Sequence, residues 1–328
     1  MINDSLGDRM KKYEAVSKTT LVSRMPVIIR LDGCHFHTVT RGFKKPFDEV
    51  MIKTMQDTMK YLCENIQGCV LGYTQSDEIT LVLVDYKKLN SDAWFDNEVQ
   101  KMVSVSAAMA TYAFNKFFER RVVEVENDLA KAWRNGLGET KEIKETEKAL
   151  EAYKKVLING AYFDSRVFNV PREEVTNCVY WRQKDAERNS INSLAQSLFS
   201  HKSLQGLKLK DTLTKIEQEG GVIWGELPTT YKRGSCCVKE YTYELPDGQI
   251  VKDHSYISYG DKKGYFYFDG DGFYFFPSYM DEHGGYMASG IKLDVKEISK
   301  WKIDNDIPRF ADEGREYIEK LVFPADEE

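Results

Sequence analysis

Acidic side chains stand where apolar strands end. Asp32 follows the apolar run 27–31, and Asp77 with Glu78 lies in the polar tract between two β-rich runs. Two adjacent carboxylates raise each other's pKa unless a cation neutralises them. Magnesium takes oxygen ligands, uses one or two protein carboxylates and fills its other positions with water and phosphate oxygens. If the fold brings Asp32 and Asp77 together, these residues predict a magnesium site for a nucleoside triphosphate.

The residues that follow Asp32 fit a phosphate-binding turn. Gly33 would let the backbone approach a ligand closely, and Lys44 and Lys45 add positive charge for a triphosphate. The amides that could cradle phosphates belong to Cys34, His35, Phe36 and His37. An ordinary interpretation also stands, because Asp at a strand end and "SDE" in a hairpin are common turn formers. Imidazole ligation of a metal is disfavoured, since few nitrogen or sulfur donors lie nearby, and at least one histidine suits a core or hydrogen-bonding role.

The elements that must position these residues follow the order β-α-β-β-α-β. The apolar periodicity predicts strands and helices at 27–31, 47–66, 69–73, 79–84, 94–119 and 161–170. This order is that of the split βαβ, or ferredoxin-like, α+β unit. In such a sheet the end of the first strand lies beside the turn of the hairpin, which would place Asp32 close to Asp77.

The rest of the chain adds helices and a β-rich module. Residues 120–159 mix acids and bases and predict two exposed helices inserted into the fold, around a break at Gly136 and Gly138. Helices follow from 171 onward and at 210–219, with a strand after Gly234. Beyond 246, short alternating aromatic runs between glycines predict strands and a terminal helix at 310–321. We expect a catalytic domain at 1–240 and a β-rich region at 241–328.

Composition narrows the class of protein. The chain has 328 residues, 42% of them hydrophobic, with a net charge of −6 and a pI near 5.6. No global basic field therefore draws it to nucleic acid, and any such binding must use a local patch. Six scattered cysteines disfavour a zinc site and a disulfide framework. The polar N-terminus and the lack of a run of about 18 apolar residues favour a cytoplasmic protein without a membrane partner.

Seven ordered motifs resemble those of the tRNA(His) guanylyltransferase family. They are "RLDG", "FH", "KPFD", "YTQSDE", "FDSRVF", "WRQKDAERNSI" and "KRG", and they cover roughly residues 1–240. The resemblance implies a polymerase-like palm that adds nucleotides in the 3'-to-5' direction at the 5' end of tRNA. It implies activation of a 5'-monophosphate with ATP or GTP, followed by attack of the 3'-hydroxyl of the incoming nucleotide.

The resemblance also implies roles for individual residues. Asp32 and Asp77 would hold two magnesium ions, with the Gly33 carbonyl as a further ligand, and Glu78 would complete the catalytic set. The positions implied near the nucleotide are His37, Lys45, Ser76, Lys101 and Arg166. Glu98 departs from the basic residue that eukaryotic members often carry three positions before Lys101, which weakens the triphosphate-gripping role of this region.

A long helix and the residues after it are the expected RNA-binding path. Arg182 and Asn189 are two turns apart, so they would share one helical face, which is a polar surface or an RNA contact. The whole predicted RNA-binding set is Arg182, Arg188, Asn189, His201, Lys202, Lys232 and Arg233. Phosphate contacts of this kind would make RNA affinity depend on salt. The C-terminal aromatics could stack unpaired bases, although a sheet core or an oligomer contact is the more ordinary interpretation.

One missing motif points to a subgroup of the family. The eukaryotic signature "HINNLYNT" is absent, and "ERNSINSL" stands in its place, as in the bacterial, archaeal and phage-type members. The resemblance therefore favours template-directed repair of 5'-truncated tRNA over guanylate addition to tRNA-His. It also implies a homotetramer, built as a dimer of dimers.

Two other classes of protein compete with this interpretation. A catalytically inactive palm that binds nucleotide or RNA is disfavoured because Asp32, Asp77 and Glu78 are all present. A palm-type nucleotide cyclase is disfavoured because such families lack the helix containing "WRQKDAERNSI".

Overall fold

The computed structural model describes residues 5–136, 140–281, 284–287 and 289–323. Contacts divide the chain into two units. The first consists of Met1–Val238 with Ile303–Glu328, and the second is Lys239–Lys302. The predicted mixture of helices and antiparallel strands is confirmed.

The first unit contains most of the helices and one antiparallel sheet. Its sheet has the order β5-β2-β3-β1-β4. Its elements up to the boundary are α1 (Ser5–Ala15), β1 (Val27–Gly33), α2 (Phe36–Val39), α3 (Glu49–Asn65), β2 (Cys69–Gln75), β3 (Glu78–Leu83), α4 (Val99–Arg134), α5 (Lys141–Asn159), β4 (Phe163–Asn169), α6 (Arg172–Leu198), α7 (His201–Leu204), α8 (Leu209–Gly220), α9 (Thr229–Arg233) and β5 (Ser235–Glu244).

Helices cover both faces of this sheet. On one face, α3 and α4 bury side chains such as Met59 and Phe114. On the other face, Val175 and Val179 of α6 pack in one cluster with Ile28 of β1. Strand β1 lies inside the sheet and is covered on both faces. Its sequence is therefore a nearly continuous apolar run and does not alternate between apolar and polar residues.

The structure corrects the prediction for residues 120–159. The predicted second long helix, at 94–119, extends as α4 to Arg134, because no Gly or Pro interrupts it. The inserted segment is therefore the second half of α4 followed by α5. Helix α5 is also less exposed than predicted, since it buries Ile143, Tyr153 and Val156. Of the predicted break, Gly138 lies outside the described residues.

The second unit is a β module with its own core. Phe266 and Phe275 are fully buried there and pack with Ile257 and Leu293. Strands β6 and β12 pair with β5, while the other strands form a sheet of order β10-β9-β8-β7, with β11 paired to β9. These strands are β6 (Ile250–Val251), β7 (Ser255–Tyr259), β8 (Lys262–Phe268), β9 (Phe273–Asp281), β10 (Gly284–Met287), β11 (Ile291–Leu293) and β12 (Lys296–Asp304).

The chain ends in the first unit. Helix α10 (Glu316–Val322) buries Ile318 and Val322 in the same cluster as Tyr86, and the Tyr86 hydroxyl donates to the Val322 carbonyl at 3.0 Å. Sequence patterning grouped residues 241–328, whereas these contacts place 303–328 with the first unit. The functional division into a catalytic domain and a C-terminal region stays a prediction. No helix in the described ranges is long and apolar enough to cross a membrane.

Candidate active site

The β2–β3 hairpin positions Asp77. Gln75 pairs with Glu78, so Ser76 and Asp77 form a two-residue turn, in which Ser76 has a φ of 51°. Such a positive φ at the first turn residue suits the twist of a tight hairpin. The Ser76 hydroxyl donates to Asp77 Oδ1 at 2.9 Å, and the Gly33 amide donates to the Asp77 carbonyl at 3.0 Å. The turn is therefore bonded to the end of β1, beside Asp32.

Asp32 has carboxylate neighbours on the adjacent strands at this edge of the sheet. Asp32 is paired directly with Glu78 of β3 and with Asp164 of β4. Residues directly opposite each other in antiparallel strands point to the same face. Burial raises the pKa of Asp77, and the charge of Asp32 raises it further, while the Ser76 hydrogen bond opposes the shift. Asp32 and Asp77 are thus close enough to repel each other.

The donor chemistry of Asp32 and Asp77 fits magnesium. Within the described ranges, neither carboxylate makes an ion pair with Lys, Arg or His, and no three His, Cys, Asp or Glu residues converge as a metal cluster. A site with two protein carboxylates and space for phosphate oxygens is the arrangement that magnesium uses. Both carboxylates are half-buried and lack a positively charged partner among these residues, so a bound dication would stabilise their ionised forms.

Glu78 differs from the two aspartates because arginines already neutralise it. Arg182 Nε and Nη2 donate to its two carboxylate oxygens at 2.6 and 2.7 Å, and Arg30 Nε lies 3.4 Å from Oε1. Burial raises the pKa of Glu78, and the Arg182 hydrogen bonds oppose that shift. Arg182 also donates to Asp185 at 2.8 Å. In this structure Glu78 is the anchor that ties α6 to β3.

A cavity of about 390 Å³ opens beside Asp77. Its walls come from the 36–52 segment, the β2–β3 turn, α6 and α9. It brings together six of the predicted positions, namely Phe36, His37, Lys44, Lys45, Ser76 and Asp77, and adds Asn189 from the RNA-binding set. This volume falls within the range of small-ligand sites.

Buried hydrogen bonds hold one wall of this cavity. Asp48 caps α3 by accepting from the Met51 amide at 2.9 Å, and it also accepts from the Lys44 amide at 2.8 Å. The Tyr153 hydroxyl of α5 donates to Asp48 at 2.6 Å. Lys44 Nζ in turn donates to Thr146 of α5 at 2.8 Å. The inserted helix therefore supports the cavity.

An aromatic pair forms part of the cavity lining. The rings of Phe47 and Tyr231 stack with centroids 4.5 Å apart and an interplanar angle of 19°. The Tyr231 hydroxyl donates to Glu49. Burial and this hydrogen bond raise the pKa of Tyr231 to about 12, so the phenol stays neutral at physiological pH. An aromatic pair at the cavity is suited to a nucleobase.

The residues just after Asp32 divide between core and cavity. Phe36 is buried, with its ring centroid 5.4 Å from that of Phe114. The Cys34 amide already donates to the Tyr162 carbonyl at 2.8 Å. Phe36 and His37 open the short helix α2, so their amides lack helical acceptors. His35 and His37 are exposed, and only His37 lines the cavity.

Two predicted triphosphate contacts lie outside the cavity lining. Lys101 is exposed near the start of α4, where its Nζ lies 5.1 Å from the ring centroid of Phe95. Glu98, the residue that departs from the family pattern, lies 3.5 Å from Lys18. Arg166 lies on the same face of β4 as Asp164 and is paired with Arg30 of β1. Its side chain is 58% exposed.

One of the predicted RNA-binding residues is buried. Arg182 is buried against Glu78, so it does not share an exposed face with Asn189 as predicted. The remaining members are exposed or partly exposed. Arg188 pairs with Asp185, Lys232 donates to the Gly225 carbonyl, Arg233 Nε lies 3.6 Å from Glu187, and His201 and Lys202 are in α7.

Sequence reasoning missed several site residues. Asp164 stands in the quoted motif "FDSRVF", but only its arginine was singled out. The pairing of β1 with β4 reveals its role, because Asp164, which lies two positions before Arg166, is opposite Asp32. Phe47 and Asp48 stand in the quoted motif "KPFD", but only its lysine was singled out. Tyr231 had no signal in the pattern, since an aromatic contact across about 180 residues is not visible in a single sequence.

Comparisons with known proteins identify relatives of this chain. Residues 7–171 match the family described as tRNA(His) guanylyltransferase. A bacterial tRNA(His) guanylyltransferase-like protein in complex with ATP is 33% identical, with a TM-score of 0.65, covering 97% of this chain and 99% of that one. A structure of such a bacterial protein in complex with GTP is 32% identical, with a TM-score of 0.62, covering 98% and 100%. The tRNA(His) guanylyltransferase 2 of Arabidopsis thaliana is 23% identical over 72% of this chain, which spans 40% of the plant protein's length.

Proposed function

Because this chain belongs to the tRNA(His) guanylyltransferase family of nucleotidyltransferases, we propose that it adds nucleotides to the 5' end of tRNA in the 3'-to-5' direction. The observation that carries the proposal is the approach of the β2–β3 turn to the end of β1, where the Gly33 amide donates to the Asp77 carbonyl at 3.0 Å beside Asp32, next to a cavity of about 390 Å³. The two bacterial relatives in complex with ATP and with GTP support nucleoside triphosphates as its substrates. We assign the sheet order β2-β3-β1-β4, with α3 and α4 on one face, to a ferredoxin-like palm.

The residues of this chain suit two successive displacements at phosphorus. In the first, an oxygen of the tRNA 5'-monophosphate attacks the α-phosphorus of ATP or GTP, and pyrophosphate leaves. In the second, the 3'-hydroxyl of the incoming nucleotide attacks the activated 5' phosphorus, and the nucleoside monophosphate leaves. Two magnesium ions, when bound, would neutralise charge on the attacking and leaving oxygens.

The protein's part is to position groups and to neutralise charge. Asp32 and Asp77 would hold the ions, with the Ser76 hydrogen bond fixing the Asp77 carboxylate. Lys45 and His37 line the cavity where a triphosphate would lie, and the pair of Phe47 and Tyr231 offers a stacking surface for its base.

We further propose template-directed repair of 5'-truncated tRNA as the reaction. The absence of "HINNLYNT" and the likeness to bacterial proteins over nearly the whole chain support this choice. A homotetramer, expected from the family resemblance, is the proposed assembly.

The test supplies Mg²⁺, the four nucleoside triphosphates and a 5'-truncated, 5'-monophosphorylated tRNA, and follows the length of the 5' end. We expect growth with the wild type and a loss of at least about a thousandfold in Asp32→Asn and Asp77→Asn. Asp128→Asn, on an exposed part of α4, is the matched control and should retain full activity. Absence of growth in the wild type, together with nucleotide binding, would identify a catalytically inactive palm instead.

Two further measurements separate the elements of this proposal. Mg²⁺ alone should raise the melting temperature of the wild type, but not that of either aspartate variant, because a ligand stabilises only the state that binds it. The tRNA base opposite the missing position should then be varied. Repair predicts that the added nucleotide follows that base, whereas constant addition of guanylate would favour tRNA-His maturation.

A further inference from the structure

A second cavity of about 390 Å³ lies among α6, α7 and α8. It shares no lining residue with the cavity beside Asp77. Its polar lining includes the amides of Asn192, Gln196 and Gln205, and its apolar lining includes Leu204 and Leu207. No carboxylate lines it.

The three amide side chains are available to a ligand. Asn192, Gln196 and Gln205 are exposed, and no hydrogen bond to their side chains is found within the described parts of the chain. A side-chain amide offers a donor and an acceptor side by side, which is the pattern that base edges match. Leu204 and Leu207 add apolar surface against which the face of a base can lie.

The chain segment that contributes His201, Leu204 and Leu207 to this cavity is basic, in a protein whose net charge is −6. From residue 200 to 210 the chain has Lys202, Lys208 and Lys210 and no acid, and Asp211 follows. All three lysines are exposed, and none makes an ion pair with a described residue. Exposed lysines without acidic partners are the local patch that phosphates require.

The two cavities follow each other along α6. Asn189 lines the cavity beside Asp77, and Gln196 lines the second one. Seven residues of α-helix separate them, which is about 10 Å along the helix axis. An RNA strand that reaches the active site can therefore extend to the second cavity over a few nucleotides.

We propose that this second cavity, together with Lys202, Lys208 and Lys210 of the segment that lines it, binds an unpaired nucleotide of the RNA substrate. The amides of Asn192, Gln196 and Gln205 contact its base, and the lysines contact the neighbouring phosphates. This inference rests on the proposed function, from which it takes RNA as the ligand. It adds a site that holds the substrate away from the reacting end.

The first test measures the affinity for 5'-truncated tRNA by fluorescence anisotropy at several salt concentrations. The triple variant Lys202→Gln, Lys208→Gln, Lys210→Gln should weaken binding about tenfold or more. It should also reduce the slope of log affinity against log salt by about 2 to 3, which is close to one per lost phosphate contact. The control is Lys141→Gln, Lys148→Gln, Lys155→Gln on α5, which removes the same charge from exposed positions and should change neither quantity.

The second test addresses the base. Gln196→Leu with Gln205→Leu should weaken tRNA binding about tenfold while leaving the salt slope unchanged, because amides do not contact phosphates in this proposal. A 4-thiouridine-substituted tRNA should crosslink to residues 192–205 in the wild type, and the crosslink should disappear in this variant. GTP binding should be unchanged in both sets of variants, since the first cavity is intact.

These outcomes are distinct from those for the catalytic proposal. If the wild type binds tRNA through these residues but adds no nucleotide, the proposed reaction fails and the binding site stands. If nucleotides are added while the triple lysine variant and the double glutamine variant both bind tRNA like the wild type, the second site is refuted. Failure of the wild type to bind any RNA would refute it as well.

Discussion

The carboxylate of Asp77 is harder to ionise than that of an ordinary aspartate. Burial and the neighbouring charge of Asp32 both raise its pKa. A group whose pKa is raised on folding favours the folded state at low pH, and this contribution is lost as the pH rises through the folded-state value. At neutral pH, without metal, the ionised Asp77 therefore destabilises the fold.

We accordingly predict that Asp77→Asn is more stable than the wild type at pH 7 in EDTA. The melting temperature should rise by about 1–3 °C. The difference should shrink as the pH falls through the raised pKa of Asp77, because the wild-type carboxyl then becomes protonated and uncharged like the amide. Thermal unfolding across this pH range checks the prediction, which fails if the variant is less stable at pH 7 or if the difference does not depend on pH.

Lys45 and Lys44 provide a second comparison of single residues. Both line the cavity, but Lys44 Nζ donates to Thr146 of α5, whereas Lys45 makes no ion pair or side-chain hydrogen bond among the described residues. Lys45→Gln should raise the KM for GTP roughly tenfold, since a hydrogen bond to a charged group is lost. Lys44→Gln should have a smaller effect on KM. Equal effects of the two substitutions on KM would contradict this assignment.

At the residue scale, the sequence predicts which residues the strand order brings together better than it predicts contacts between side chains of a helix and the sheet. The proximity of Asp32 and Asp77 followed from the expected strand order. When the first strand pairs with the second strand of the hairpin, its end lies beside the hairpin turn. The burial of Arg182 could not be predicted in this way. The position of Arg182 in the helix indicates which other residues share its helical face. It does not reveal that Arg182 binds Glu78, which is 104 residues away in the sequence.

At the element scale, the pair formed by Arg182 and Glu78 joins α6 to the central sheet. Both side chains are only 7% exposed. Arg182→Met should lower the free energy of unfolding by on the order of 3 kcal/mol, because it leaves Glu78 buried without its main partner. The exposed Arg188→Met should stay within about 0.5 kcal/mol of the wild type.

Urea unfolding of both variants measures the difference. Adding Glu78→Gln to Arg182→Met should recover part of the loss, because the uncompensated buried charge is removed. If Arg182→Met and Arg188→Met unfold alike, the pair does not anchor α6.

Gly234, the last residue of "KRG", controls the approach of β5 to β2. It has a φ of 81°, and a Cβ there would lie 2.2 Å from the Thr74 carbonyl oxygen. Gly234→Ala should therefore lower the free energy of unfolding by more than about 2 kcal/mol. Gly136 has a similar φ of 69° but no atom within 4 Å of its Cβ position, so Gly136→Ala should cost only about 1 kcal/mol.

Urea unfolding measures the loss of stability in each alanine variant. Both variants have backbone strain, but only Gly234→Ala adds a steric clash, so the difference between the two losses is the cost of the clash. Equal losses would show that close approach at Gly234 does not matter. The motif "KRG" marks this glycine in the sequence, but only the pairing of Thr74 with Ser235 explains it.

Element boundaries show where periodicity is informative. The predicted helix at 47–66 is close to α3 (Glu49–Asn65), because Asp48 caps it and the apolar positions repeat regularly. The end of α4 was placed about 15 residues too early, since its second half is charged. Arg121 in that half pairs with Glu124 of the same helix at 3.0 Å and with Asp57 of α3 at 2.6 Å. A change in composition was mistaken for a change in structure.

For the whole molecule, helix α1 raises the question of assembly. It buries none of its residues, yet Leu6, Met10 and Tyr13 are 58%, 45% and 70% exposed and recur at steps of four and three. This spacing places them on one helical face. An apolar face left in water is the usual mark of a contact with another chain.

We predict that α1 takes part in the proposed homotetramer. Four copies of the 37.9 kDa chain have a mass of 151.6 kDa, which light scattering after size-exclusion chromatography would detect. Met10→Glu combined with Tyr13→Glu should reduce the measured mass to that of a dimer or a monomer, because burying two new charges opposes association. Lys11→Glu, which introduces the same residue off the apolar face, should leave the mass unchanged. A wild-type mass of 37.9 kDa would exclude the tetramer, and a tetramer that persists in the double variant would place the interface elsewhere.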